Sequence, residues 1–394
     1  MFATSFLFCD PVSPERLRWF SESIGAAVRQ QYPGEEGTFT IFFTGDALYS
    51  LADARTHDAW AALAVLRSVR IVADGDELRL QGMRGPVLSK NPRVIIPGDG
   101  TDRTTGAFWD LVVSTLKGEW RDPRQAAFLL CTSPYMNRTP VYMLRFLAGV
   151  HASGLRPELY TYLDGVHTVH NGQCPSEFEN IGRGVAALAG SAAQSGRDAW
   201  FAACSRCATA RGYYQMNPGT GFCEPSSCIE SITIRPLRDI LARFRERHPV
   251  LSHASGYVVA RDLPAPGMPH LVIFITNPPY CTEWTFGGIS LAVAAAMDGI
   301  PVTVIFIEDG VHALCGTHEV PAADKIFNIQ EMLAATLDVE GLQYLVHGPS
   351  LEVRGVRPAP EFQGLRQVHN QDLAGILGGT GQENAGRAKR MIFF

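Results

Sequence analysis

The chain has 394 residues, enough for two or three domains that each bury a core. Hydrophobic residues at 46% and charged residues at 19% exclude a disordered or fibrous chain. A net charge of −5 weighs against wide, non-specific nucleic-acid binding, which needs a basic surface, and leaves room for a local basic patch.

No apolar stretch reaches the ~20 residues of a membrane-spanning helix, so no membrane association is expected. The opening MFATSFLFCD has neither a basic leader nor a cleavage site and reads as a strand. Nine cysteines, an odd number spread along a long chain, suit reduced thiols in the cytoplasm better than a disulfide framework.

In chain order, Phe6-Leu7-Phe8-Cys9 predicts a buried strand. A helix through Trp19, Ile24 and Val28 follows, and TFTIFFTGDAL, with Asp46, forms a second strand. An insertion falls around Tyr32-Pro33-Gly34. VRIVADGDELRLQG supplies a third strand end, and AFWDLVVSTLKG closes the segment as a helix. Proline and glycine place linkers near Trp120–Arg124 and at LPAPGMPH.

From Phe128 the pattern returns. FLLC is a strand, Thr139 an N-cap with Pro140 at the first helical position, and Leu144, Leu147 and Val150 an apolar face. Gly154 ends that helix and ELYTYL forms the next strand, so the whole is a βαβ unit. The segment from Ile273 repeats it at an offset of 145 residues without a gap. Pro134-Tyr135 falls on Pro279-Tyr280, Gly154 on Gly299, and Asp164-Gly165-Val166-His167 on Asp309-Gly310-Val311-His312.

Third strand ends then appear as WFAACSRCATARG and QYLVHGPSLEVRG. Aligning Gly82, Gly212 and Gly355 puts Asp74, Cys204 and His347 at one position, and Glu77, Cys207 and Ser350 at another. Helices in RPLRDILARFRERHP and DLAGILGG, and strands in GYVVA and MIFF, complete the units. The boundaries read 1–121, 122–262 and 263–394, each a parallel sheet flanked by helices. GGTGQENAG lacks a phosphate-loop lysine and reads as a turn.

Functional groups of parallel sheets gather at the carboxyl ends of strands, where Cys204 falls. Arg206, Arg211 and a helix starting just after it favour the thiolate, the form that attacks sulfur. Cys204 is therefore a candidate acceptor of sulfane sulfur as a persulfide, with Cys207 resolving, relaying or protecting it. Cys9 and Cys131 lie inside apolar strands and read as small buried hydrophobes.

A second reading stays open. Cys204, Cys207, Cys223 and Cys228 are spaced C-x2-C-x15-C-x4-C, close to a structural zinc site. The same four could form a thiol relay or a regulatory disulfide. His167, His170 and His312 follow second-strand ends and read either as ligand-orienting groups or as turn residues. Cys174 and Cys315 lie nearby without a supporting motif. Tyr135 and Tyr280 follow first strands, as pocket walls or as packing residues.

A P-Y turn, a strand ending in DGV, and C-S-R-C-A-T-A-R-G with Cys204 eight residues before Gly212 together resemble the DsrE/DsrF/TusD-like sulfur-relay family. The resemblance covers most of 125–260 and 265–394, and 1–120 more faintly. It implies tandem flavodoxin-like α/β domains forming an intrachain pseudo-trimer, which leaves room for a homodimer of pseudo-trimers. It also implies a cytoplasmic sulfurtransferase or sulfur carrier whose partners are sulfur-donor and sulfur-acceptor proteins. Tyr135, His167 and His170 would then border the substrate. No cofactor is expected on this reading and zinc on the alternative, where the protein is a non-catalytic assembly; a thiol-disulfide redox sensor is the third reading.

Overall fold

The computed structural model describes residues 2–31, 39–98, 105–121, 123–260, 267–321, 326–379 and 387–394. The insertion at Tyr32-Pro33-Gly34, the first half of LPAPGMPH and most of GGTGQENAG lie outside the described residues.

One series of elements recurs three times: strand, helix, strand, 3-10 turn, helix, strand and short helix. It first runs through Phe2–Phe8, Pro14–Gln31, Phe39–Phe43, Gly45–Leu51, His57–Ala64, Val69–Ala73 and Gly75–Leu80. The second run is Gln125–Leu130, Thr139–Ala152, Arg156–Thr161, Leu163–Val169, Ile181–Gln194, Trp200–Cys204 and Ser205–Ala210. The third is His270–Ile275, Trp284–Met297, Val302–Phe306, Glu308–Leu314, Ile329–Ala334, Leu342–His347 and Gly348–Arg354.

By contact density the chain divides into two compact units. One comprises Met1–Thr4, Ser13–Thr38 and Gly256–Phe394. Its parallel strands lie in the order Arg366–Val368, Leu342–His347, Val302–Phe306, His270–Ile275 and Lys389–Phe393. The other comprises Ser5–Val12 and Phe39–Ser255. It holds five parallel strands in the order Val250–Leu251, Gln125–Leu130, Arg156–Thr161, Trp200–Cys204 and Thr233–Arg235. It also contains the parallel pair Phe39–Phe43 with Val69–Ala73. Central strands such as Gln125–Leu130 and His270–Ile275 are buried at every residue, as expected for a parallel sheet covered on both faces.

The sequence places the second helix one residue late. It begins at Thr139, not Pro140, with Arg138 at the cap position, and the Oδ1 of Asn137 accepts from the Thr139 amide at 3.1 Å, an Asx turn leading into the helix. Gly154 and Gly299 follow the helix ends at φ of 86° and 80°, the left-handed conformation that glycine adopts without strain.

Each DGV segment opens a 3-10 turn rather than ending a strand. Asp46, Asp164 and Asp309 each hold its second position. Glycine is required at the third in two of these turns. A Cβ on Gly165 would stand 1.9 Å from the Leu130 oxygen, and one on Gly310 1.9 Å from the Ile275 oxygen. The turns start in the left-handed region, with Gly45 at 57°, Leu163 at 50° and Glu308 at 54°.

Candidate functional site

Asp74, Cys204 and His347 all fall at the same place in the structure, the residue that caps the short helix after the third strand. The extended backbone of Cys204 ends the strand, and the helix Ser205–Ala210 starts immediately after it. Both thiols of the C-x-x-C pair are buried, Cys204 at 1% exposure and Cys207 at 7%.

The two thiols act on each other. The Cys207 thiol hydrogen-bonds to the Cys204 sulfur, and this is the largest influence bringing Cys204 down from 9.0 to about 7. Burial opposes it, while the amides of Cys207 and Arg206 and the Arg206 charge add to it. Cys207, which gives up its proton only by breaking that bond and charging a buried sulfur, is pushed far up. The Leu163 amide also donates to the Cys207 sulfur at 3.3 Å. The pair thus has one acidic thiol and one proton-holding thiol at the carboxyl end of a central strand.

Arg211 is placed differently from the sequence expectation. Its guanidinium donates twice to Asp164 Oδ1, at 2.6 and 2.9 Å, joining the short helix to the 3-10 turn. Arg354 binds Asp309 in the same way, from Nε at 2.9 Å and Nη2 at 2.8 Å. Arg206 is the arginine whose charge acts on Cys204.

His167 and His170 gather on Tyr213. The Nδ1 of His167 lies 2.8 Å from the Tyr213 hydroxyl, and the two imidazoles pack edgewise on its ring at 5.6 and 5.8 Å. His170 Nδ1 accepts from the Gly172 amide at 2.7 Å. Burial holds His167 below its ordinary value. Tyr135, at a φ of 71°, donates to Gln173 Oε1 at 2.8 Å. It lines a cleft of about 380 Å³ with Asn137, Arg138, Glu177 and Phe178, and Cys204 is not among the lining residues. Tyr280 at 68° has the corresponding bond with His318, also 2.8 Å. The backbone oxygen of His312 lies 3.2 Å from His318 Nε2.

The four cysteines of the metal reading are not drawn together. Among the described residues, no three His, Cys, Asp or Glu side chains are placed to hold a metal ion. Cys223 is exposed on the hairpin of Tyr214–Met216 with Cys223–Pro225. The Cys228 thiol donates to the Ser226 and Tyr213 oxygens at 3.2 and 3.5 Å. Cys315 donates to the Val311 oxygen at 3.1 Å, and Cys174 is exposed.

Two features escape the sequence. Tyr162 is buried beside Cys204, Cys207 and Cys131, and burial first, then those thiols, push its hydroxyl far up. It sits in an apolar run that reads as ordinary strand. The other is charge. Glu77, the counterpart of Cys207, is 1% exposed and takes Arg138, Arg145 and Tyr142 at 2.8, 2.8 and 3.0 Å. Glu308 takes Arg16 at 2.9 and 3.0 Å and Trp19 at 2.9 Å. The 145-residue offset pairing Leu163 with Glu308 was the available signal for a special residue there.

Residues 270–378 match the model of the DsrE/DsrF-like family. The uncharacterized protein MJ0989 of Methanocaldococcus jannaschii is 25% identical over 105 residues, 27% of this chain and 89% of its own length. A crystal structure of the YchN protein from E. coli aligns at 19% identity with 33% of this chain and 99% of its own, with a TM-score of 0.27. No helix among the described residues is long and apolar enough to cross a membrane.

Proposed function

We propose that this protein is a sulfur carrier or sulfurtransferase in which Cys204 accepts sulfane sulfur as a persulfide. The observation that carries the reading is the dithiol itself: two buried thiols at the end of a strand and the head of a short helix, with the Leu163 amide on the Cys207 sulfur and the Cys204 thiol brought below its usual value by the Cys207 thiol and local amides. A thiol ionised near neutral pH attacks sulfur well without losing its nucleophilicity. The DsrE/DsrF-like match supports sulfur transfer in the coarse sense. It lies on the third series of elements; the offset of 145 carries 270–378 back to 125–233, which contains Cys204.

On this reading the chain is three related domains, 1–121, 122–262 and 263–394, arranged as a pseudo-trimer that pairs into a homodimer. The threefold recurrence of one element series supports it. Asp74 and His347 cannot carry a persulfide, so the outer domains serve as scaffold or docking surfaces for cytoplasmic donor and acceptor proteins. Tyr135, His167 and His170 help shape the approach to the site.

The test is intact-protein mass spectrometry after exposure to a sulfane-sulfur donor, with metal analysis of the same sample. Sulfur added at Cys204, about 32 Da per atom, is the expected result in Cys207→Ser, where no second thiol can displace it, and it is lost in Cys204→Ala. No added sulfur together with about one zinc per chain would replace the reading with the structural four-cysteine zinc site. A reversible disulfide formed with no sulfide released, and no sulfur taken up by Cys207→Ser, would replace it with a redox sensor.

A further inference from the structure

We propose that Cys207 discharges the Cys204 persulfide from inside the site, releasing sulfide and leaving a Cys204–Cys207 disulfide. The proposal rests on the persulfide reading of Cys204 and adds its product and the class of its reductant.

The geometry favours an internal attacker. Cys204 caps the short helix and Cys207 stands three residues on, in the first turn of that helix. Cys204 is 1% exposed and Cys207 7%, so the two thiols share one buried site. The Leu163 amide, 3.3 Å from the Cys207 sulfur, favours the negative charge that sulfur gains when it becomes the nucleophile. That amide comes from a turn held from two sides: the Gly165 amide donates to the Cys131 and Tyr162 oxygens, and Arg211 grips Asp164. The other two series place Glu77 and Ser350 at this position, and neither can form a disulfide.

Atoms and electrons balance in this step. The Cys207 sulfur attacks the Cys204 Sγ of the Cys204–S–SH persulfide, giving up its proton as the new bond forms. A Cys204–Cys207 bond forms, the bond to the outer sulfur breaks, and its electron pair leaves with that sulfur as hydrosulfide. The Cys207 proton goes to the departing sulfur, giving hydrogen sulfide. The sulfane sulfur is reduced and the two cysteines are oxidised. An external dithiol then restores them by exchange, becoming a disulfide itself.

The experiment loads the full-length protein with sodium tetrasulfide, removes the excess by desalting, and follows sulfide release and mapped mass. The wild type is expected to release about one sulfide per chain and to end about 2 Da lighter, with Cys204 linked to Cys207. Cys207→Ser is expected to accumulate the persulfide at Cys204, about 32 Da heavier, without that release. A wild type that keeps the added sulfur on Cys204, or moves it to Cys207, would overturn internal discharge and leave the carrier reading standing. Failure of Cys204 to take up sulfur in either protein, with the fold intact by circular dichroism, would overturn both.

Discussion

At Cys204 and Cys207 two buried thiols meet at the head of a short helix; at Asp74 and Glu77, the same positions in the first series, two buried carboxylates do. Asp74 accepts from the Asp76 and Glu77 amides at 3.0 and 3.3 Å and from Thr44 at 2.8 Å. Burial works against charge on Glu77, but Arg138, Arg145 and Tyr142 bring its carboxyl below the usual range. The third series is also saturated: His347 holds Ser350 at 2.8 Å and Asn370 at 2.9 Å. One backbone frame therefore supports either a fixed polar network or a reactive pair. What separates them is whether the side chains at the cap and three residues later have partners that leave them free to change.

The largest expected effect tests whether the frame is shared. Gly165→Ala and Gly310→Ala each drive a methyl into a backbone oxygen that no rotamer can relieve. Each should cost about 3 kcal/mol or more in denaturant unfolding. A large cost at one and none at the other would break the equivalence of the turns.

Next come the networks. Glu308→Gln leaves Arg16 largely buried, with only 14% of its side chain exposed, and should cost about 3 kcal/mol. Glu77→Gln should cost less, about 2 kcal/mol, because Arg138 and Arg145 are 42% and 36% exposed and can rehydrate. Equal costs would show that arginine exposure does not set the difference.

The thiol site is sharpened by pH. Alkylation of Cys204 by iodoacetamide, followed peptide by peptide, should be half-maximal near pH 7 in the folded protein and near 9 in urea. Because folding lowers this pKa, the thiolate contributes stability above about pH 9, and the contribution fades as pH falls through about 7. Cys207→Ala should move the folded midpoint upward by about one unit, since the largest stabiliser of the thiolate is gone. An unmoved midpoint would assign the effect to the amides and Arg206. The smallest effect is on stability: Cys204→Ser should cost about 1 kcal/mol, well below the charge-network variants.

Much of this frame was legible in the sequence. The ungapped offset put Asp164 on Asp309, and both occupy the second place of a 3-10 turn. Aligning the last glycines put Asp74, Cys204 and His347 together, and all three cap helices. Local pattern reads such positions because turn and cap geometry depend on a few neighbouring residues. The ion pair of Arg211 was not legible, for the opposite reason. Its partner, Asp164, is 47 residues away, and nothing within the C-S-R-C segment announces it. Glu77 with Arg138, and Tyr162 with its three cysteines, were equally invisible, since each belongs to separate strands and helices joined only by the fold. The cysteine spacing that suggested zinc carries no information on direction, and the hairpin leaves Cys223 facing outward.

The Leu163 turn amide has a twin. The Glu308 amide donates to the Ser350 hydroxyl at 2.9 Å, as the Leu163 amide does to the Cys207 sulfur. The third series thus holds the same backbone donor with a hydroxyl in place of the sulfur. Installing His347→Cys with Ser350→Cys would transplant the dithiol beside a ready-made donor, and Cys204 would gain an engineered sibling for comparison within the same polypeptide.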